Sequence, residues 1–307
     1  RQRQMCIRDR INTYPEINSN VYQANEATMQ IIMNAISNQK TENKNLEIGC
    51  FASNRNVAAM LDGNRFFQRH ACIVGSTGSG KSYTVASILE RANELPCANM
   101  IVFDLHGEYN ELSYADQIKI CDETDGLHIP LWFFNYEEIQ SLFIESSEGA
   151  STNQRAAVIN YILKKKKEYI KNNMKDISEE VVTADTPIPF SAKKLIQYLE
   201  EQNSLEIDTG EVYKNGDNKG NAKTKRGQYY DKLTNLITRL RTKMDDKKYG
   251  FVFDERETKE ADYLNQFAER IMGKDKYRIK VIDLSEVPSD MIAIIIGIVT
   301  RIIYDIQ

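Results

Sequence analysis

Cysteine is scarce, at positions 6, 50, 72, 97 and 121 only. The number is odd and no Cys-x-x-Cys pair occurs. Neither a disulfide framework nor a cysteine-rich zinc site is expected, and a reducing cytoplasm suits the chain. Three histidines, His70, His106 and His128, are too few for a histidine-rich metal centre. Positive charge is not in excess: 40 Lys and Arg face 44 Asp and Glu. That excludes a polycation that coats nucleic acid, although not a local basic surface. No apolar run reaches the ~20 residues of a membrane span. The most apolar window, Met291–Tyr304, is interrupted by Arg301 and reads as a buried helix or a helix plus a strand. No apolar signal-peptide core and no internal repeat occur. Met5–Arg10 reads as a translated sequencing adapter, so residues 1–10 are expected not to be protein. The last residues stop inside an apolar periodic segment. Both ends are therefore expected to be cut, with Met291–Tyr304 left partly uncovered.

What is present is an ordinary globular composition over 307 residues, enough for one large domain or one domain and part of another. Residues 25–37 have the spacing of a short amphipathic helix. Residues 46–62 read as strands of a small β unit. From Ala71 the rhythm becomes strand–helix–strand. Ala71–Val74 is a short apolar run ending in Gly75, the pattern of a buried parallel strand. A helix over Ser82–Asn93 and a strand over Met100–Phe103 follow, with a further strand expected at Pro130–Phe134. From Glu137 to about Gly273 the chain is helical and charged. Helices are expected over Arg155–Met174, Ser191–Gln202 and Arg226–Met244, the last with Leu233, Leu236, Ile237, Leu240 and Met244 on one face. Glu206–Lys225 is expected to be a loop, and Tyr277–Leu284 a strand.

The residues that carry chemistry are Gly75-Ser76-Thr77-Gly78-Ser79-Gly80-Lys81-Ser82, a full match to G-x-x-x-x-G-K-[ST] between an expected strand and an expected helix. Glycines let the loop turn its N–H groups onto phosphate oxygens, and the helix adds its positive end. Lys81 supplies a point charge to the β- and γ-phosphates, and Ser82 a hydroxyl to Mg²⁺. A nucleoside triphosphatase also needs an acidic group on a neighbouring strand. Asp104, at the end of Met100–Phe103, and Asp283, at the end of Ile279–Ile282, both qualify. A strand-end Asp that caps the next helix is the competing reading of Asp283, and the favoured one.

The three segments G-S-T-G-S-G-K-S, V-F-D-L-H-G-E-Y (102–109) and V-I-D-L-S (281–285) together resemble the HerA family of hexameric DNA-translocating ATPases. His70, in R-H-A-C-I-V-G, fits as well. The similarity runs from about Glu47 to the C-terminus. It implies an α/β fold: a RecA-like P-loop core with a mainly parallel sheet, a large helical insertion and the remnant of an N-terminal β-barrel. Domain limits follow: barrel region 11–68, first part of the core 69–136, insertion 137–275, returning core 276–307. The resemblance implies ATP and Mg²⁺ as cofactors, with Gly75 through Ser82, Tyr83 and Arg69 around the nucleotide. It places Ser82 and Asp104 at the metal, and gives Lys81, Asp104 and Glu108 the catalytic roles. It implies double-stranded DNA as substrate, a homo-hexamer with ATP between subunits, no membrane, and a partner. That partner is a NurA-like nuclease in DNA-end processing, or a nuclease or sirtuin-like effector in antiviral defence. Leu105 departs from the family's proline. The family's main acidic motif, Asp/Glu-Glu-Ala-His after an apolar strand, and its arginine finger are absent up to Gln307 and are expected beyond it.

Two basic segments could touch DNA phosphates, Lys164–Lys167 and Lys219–Arg226; a solvated helix face and a surface loop are the alternatives. Neither has interleaved aromatics for base stacking. Two other function classes compete. A P-loop switch module would need a base-recognition motif such as N-K-x-D, which is absent. A small-molecule kinase would be compact, which the long charged insertion opposes.

Overall fold

The computed structural model describes residues 16–37, 45–52, 54–95, 98–121, 126–144, 148–174, 177–212, 222–255, 258–273 and 277–306. The expected adapter segment lies outside them. The chain divides into two compact units, Arg1–Pro96 and Cys97–Gln307.

In the first unit, helix α1 (Glu26–Ser37) precedes strands β1 (Asn45–Phe51) and β2 (Asn54–Asp62), a short helix α2 (Gly63–Phe67) and helix α3 (Lys81–Asn93). β1 and β2 form an antiparallel hairpin with Leu46 opposite Leu61. Its buried side chains are Leu46 and Val57, with Met33 of α1 against β2. The expected strand at Ala71–Val74 does not form. Four apolar residues become a strand only where a neighbour supplies ladder hydrogen bonds. Among the described residues no strand pairs with them, and Val74 is 83% exposed.

The second unit is mixed α/β around a parallel sheet. Its strands β3 (Met100–Asp104), β4 (Asp116–Lys119) and, much later, β7 (Ile279–Asp283) are ordered β3-β7-β4. Ile279, Val281 and Ile282 of the central strand are fully buried, as a strand covered on both faces requires. The register sets Asp104 beside Asp283 and Lys119 beside Asp283, so the sheet's carboxyl edge is charged.

Between β4 and β7 lie helices α4 (Tyr136–Phe143), α5 (Glu148–Asn173) and α6 (Ala192–Asn203), strands β5 (Glu206–Val212) and β6 (Ala222–Arg226), and helices α7 (Thr234–Asp245), α8 (Gly250–Phe253) and α9 (Tyr263–Met272). Helix α10 (Ser289–Ile306) follows β7. Pro130–Phe134 is not a strand. Leu131–Phe133 forms one 3-10 turn whose three side chains are all buried, with Phe133 N–H donating to the Pro130 carbonyl at 2.8 Å. The expected loop Glu206–Lys225 is in its described part an antiparallel hairpin of β5 and β6. Helix α7 begins later than its apolar spacing suggests. Asp231 takes a positive φ of 58°, and Asn203 binds the N–H groups of Asp231 and Leu233 to hold a turn there.

Helix α10 answers the ambiguity of Met291–Tyr304. It is a helix throughout, and Met291, Ile295, Ile298, Val299 and Ile302 are buried in the second unit's core, so this face is covered. Each such side chain contributes roughly 1.5–3 kcal/mol relative to exposure. Arg301, which interrupts the apolar run, donates to Glu138 Oε1 at 2.9 Å and to the Phe133 carbonyl at 2.7 Å. Glu138 also closes the capping box of α4 with Asn135. One charge pair thus ties α10 to the start of α4.

Candidate nucleotide-binding site

One candidate set of residues is the loop before α3, in the first unit. Gly78 and Gly80 have φ of +79° and +86°, where a side chain is strained, and a Cβ at either would meet nothing within 4 Å. Here glycine is required by backbone conformation and not by crowding. Gly75 differs: a Cβ there would press on the Ser79 hydroxyl. Ser79 N–H donates to the Ser76 carbonyl at 3.2 Å, and Lys81 Nζ donates to the same carbonyl at 3.0 Å. The ammonium thus folds back over its own loop. Thr84 N–H reaches the Gly80 carbonyl at 2.8 Å, which starts the ladder of α3. A 13-residue helix leaves its first-turn N–H groups without intrahelical acceptors and places a positive partial charge there. Loop, helix end and Lys81 form an anion-binding set, and Ser82 lies in the first helical turn. The set fits a triphosphate with Mg²⁺. Tyr83 is 81% exposed, and Arg69 and His70 are exposed as well.

A second candidate set, in the other unit, lies at the carboxyl ends of β3, β7 and β4, where ligands of parallel α/β sheets bind. Asp104 is 2% exposed. Its Oδ1 accepts from His106 N–H at 3.2 Å and Gly107 N–H at 2.9 Å, and its Oδ2 from Tyr109 N–H at 2.8 Å. The carboxylate therefore folds the segment Leu105–Tyr109 around itself. Gly107 takes φ +71° inside that turn. From the opposite side the Gln117 amide donates to the Tyr109 carbonyl at 3.1 Å. Glu108 and His106 stand exposed on the loop so formed.

Asp283 accepts from Asn110 Nδ2 at 3.0 Å and from Ser285 N–H at 2.9 Å. Burial pushes its pKa up. The Ser285 hydroxyl and N–H, the Asn110 amide and Lys119 outweigh this and hold the carboxyl below its ordinary value. It caps the turn after β7 and not the helix, since α10 begins only at Ser289. Beside it opens a cavity of about 750 Å³ lined by Cys121, Ser285, Glu286 and the start of α10. Burial, Glu286 and Asp283 together push the Cys121 thiol up to about 11.

The sequence-level candidates thus fall in two places. Gly75–Tyr83 and Arg69 belong to the first unit; Asp104, Glu108 and Asp283 belong to the second. Gln117 and Asn110 escaped sequence reasoning. Their signal is faint, a polar residue in a short strand and one next to the motif.

The basic segments look different in three dimensions. Lys166 is fully buried and donates to the Ala184 and Thr186 carbonyls at 2.5 and 2.6 Å. It continues the buried stripe Val158, Ile162, Ile170 of α5 at four-residue spacing, a sequence signal overlooked inside a lysine run. Burial pushes its amine down to about 7, although Asp185 opposes this. Lys164–Lys167 is therefore neither a uniform solvated face nor a uniform phosphate contact. In the second segment, Lys223 pairs with Glu211 at 3.2 Å, Arg226 lies opposite Glu206 and its guanidinium sits 4.8 Å from the Tyr230 ring centre. Residues 219–221 lie outside the described residues. Among the described residues no helix is long and apolar enough to cross a membrane.

Comparison with known proteins bears on the same residues. The family model described as "Helicase HerA, central domain" matches residues 46–303. A probable helicase of Methanocaldococcus jannaschii is 31% identical over 166 residues, which is 52% of this chain and 29% of that protein. The DNA double-strand break repair helicase HerA of Saccharolobus solfataricus is 32% identical over 187 residues, 60% of this chain and 33% of that protein. The aligned part is thus about a third of the length of these relatives. The solved VirB4 of Thermoanaerobacter pseudethanolicus aligns over 84% of this chain and 80% of its own at 13% identity, with a TM-score of 0.36, too low to argue a shared fold. The family match spans both candidate sets and most of the chain, and on that ground the chain belongs to the HerA helicase family, as its central domain.

Proposed function

We propose that the chain is the ATP-binding part of an ATP-driven double-stranded DNA translocase or helicase. The observation that carries the reading is the loop Gly75–Ser82, with two glycines at positive φ, a lysine folded over it and a 13-residue helix behind it. The family match and the relatives named as DNA double-strand break repair helicases support DNA as substrate. Lys81 and the loop N–H groups would hold the β- and γ-phosphates, with Gly75–Ser82 as the cradle and Tyr83 and Arg69 beside it. Ser82 would hold Mg²⁺, which when bound neutralises phosphate charge. Asp104 acts through the loop it folds, because its oxygens already serve three backbone N–H groups. Glu108, exposed on that loop, is assigned the remaining catalytic role. We assign the whole protein a ring of six subunits, with ATP between neighbours, in the cytoplasm. Its partner is a NurA-like nuclease or a defence effector, sirtuin-like or nuclease.

The test is Lys81→Ala in the full chain, read by binding of a fluorescent ATP analogue with Mg²⁺. Losing one charge-assisted phosphate contact weakens binding roughly 10- to 150-fold. Unchanged affinity would remove the loop from the site. DNA-stimulated hydrolysis by the complete protein separates a motor from a phosphate-transferring kinase, which transfers to a small acceptor and ignores DNA.

A further inference from the structure

The hairpin of β5 and β6 is a part of the second unit that the nucleotide reading leaves unused. All seven residues of β5 are exposed, and so are four of the five in β6. Side chains on both faces of the ribbon meet solvent. Its base is held by Gly227 N–H on the Leu205 carbonyl at 2.8 Å. A two-stranded ribbon is marginal in water by itself. Each of its strands is also an edge, offering backbone N–H and C=O groups to a further strand.

Charge is divided between the strands. β5 carries Glu206, Asp208 and Glu211 and no base; β6 carries Lys223, Lys225 and Arg226 and no acid. Inside one hairpin this gives the pairs Glu206 opposite Arg226 and Lys223 with Glu211. The same division governs which edges can meet between two copies. A β5 edge against another β5 sets acids opposite acids, and β6 against β6 sets bases opposite bases, both unfavourable across strands. Only β5 of one copy against β6 of the next sets acids opposite bases. That contact is head-to-tail, and head-to-tail contacts generate rings or filaments. The three acids and three bases sum to zero, which disfavours a phosphate backbone as the occupant, since that demands an excess of cations.

We propose that this hairpin is an assembly arm. Its acidic strand β5 adds to the basic strand β6 of a second copy of this chain, and so on around the assembly. The inference rests on the ring in the proposed function and names a contact within it.

The test exchanges the charges of the two strands. Glu206→Lys, Asp208→Lys and Glu211→Lys are combined with Lys223→Glu, Lys225→Glu and Arg226→Glu in the full chain. The pairs inside the hairpin survive in reversed sense and net charge is unchanged. Natural and exchanged chains carry different fluorophores and are mixed. Each form is expected to assemble with itself to the same size. Mixed head-to-tail contacts of β5 with β6, which face like charge with like, should fall about tenfold or more below random mixing. Random co-assembly overturns the arm and leaves the ring standing. A natural chain that stays monomeric at every concentration overturns both. Loss of duplex-DNA binding by the exchanged form, with random co-assembly, overturns the arm in favour of a nucleic-acid contact.

Discussion

Asp104→Asn is the most informative single change. It keeps the shape of a 2%-exposed side chain and removes its charge. The carboxylate accepts three backbone N–H groups, at 2.8, 2.9 and 3.2 Å. Hydrogen bonds to a charged group contribute roughly 1.5–3 kcal/mol each, and to a neutral one about half that. The amide oxygen of Asn can keep His106 and Gly107 at reduced strength. Its NH₂ then points at the half-buried Tyr109 N–H, donor against donor, a loss of roughly 1–3 kcal/mol. Part of each loss is offset by relaxation, and the net opening of the loop is expected to be easier by about 2–4 kcal/mol. The assay is native-state hydrogen exchange, which isolates local opening in a chain of two units where one global unfolding energy is ill-defined. Protection of His106, Gly107 and Tyr109 should fall roughly 30- to 900-fold, with β7 at Val281 changed much less. A fall below about threefold at Tyr109 would refute the reasoning, because the carboxylate would then not be what folds the loop.

Gln117→Leu should change little. It removes the bond to the Tyr109 carbonyl but also Gln117 Oε1, a buried acceptor with no partner among the described residues, so stability by urea denaturation should move by less than about 1 kcal/mol. Lys166 sets a pH dependence. Its folded pKa, lowered by burial to about 7, lies below the ordinary 10.5, so between those values the unfolded chain binds the extra proton and stability rises with pH. Lys166→Met should flatten that rise between about pH 7.5 and 9.5, below the titration of the tyrosines; an unchanged slope would show that the amine is not the source. Cys121, its thiol pushed up to about 11, should be alkylated by iodoacetamide at pH 8 well after the exposed Cys50 and Cys72, as peptide mass spectrometry of a time course reads. Equal rates would place Cys121 in an open, uncharged setting.

What could be read without coordinates was local. Helix α3, strands β3 and β7 and helices α5 and α6 follow from apolar spacing, and Gly75–Ser82 from a motif whose residue types each have a backbone or charge reason. The family follows from three short segments together. What failed did so where the outcome depends on a distant partner. Ala71–Val74 has the composition of a strand and, among the described residues, no ladder to join. Pro130–Phe134 has strand-like apolar density, yet the 3-10 turn buries Leu131, Trp132 and Phe133 together. Glu206–Lys225 reads as a polar loop until cross-strand pairing sets its acids against its bases. Tertiary structure alone decided that Lys166 faces two carbonyls and not solvent, that Arg301 binds Glu138, and that Asp104 is surrounded by backbone N–H groups. A charged side chain's role depends on which polar groups the fold places within about 3 Å of it. Periodicity records which face of a helix or strand is buried, and it carries no information about the partner on the other side.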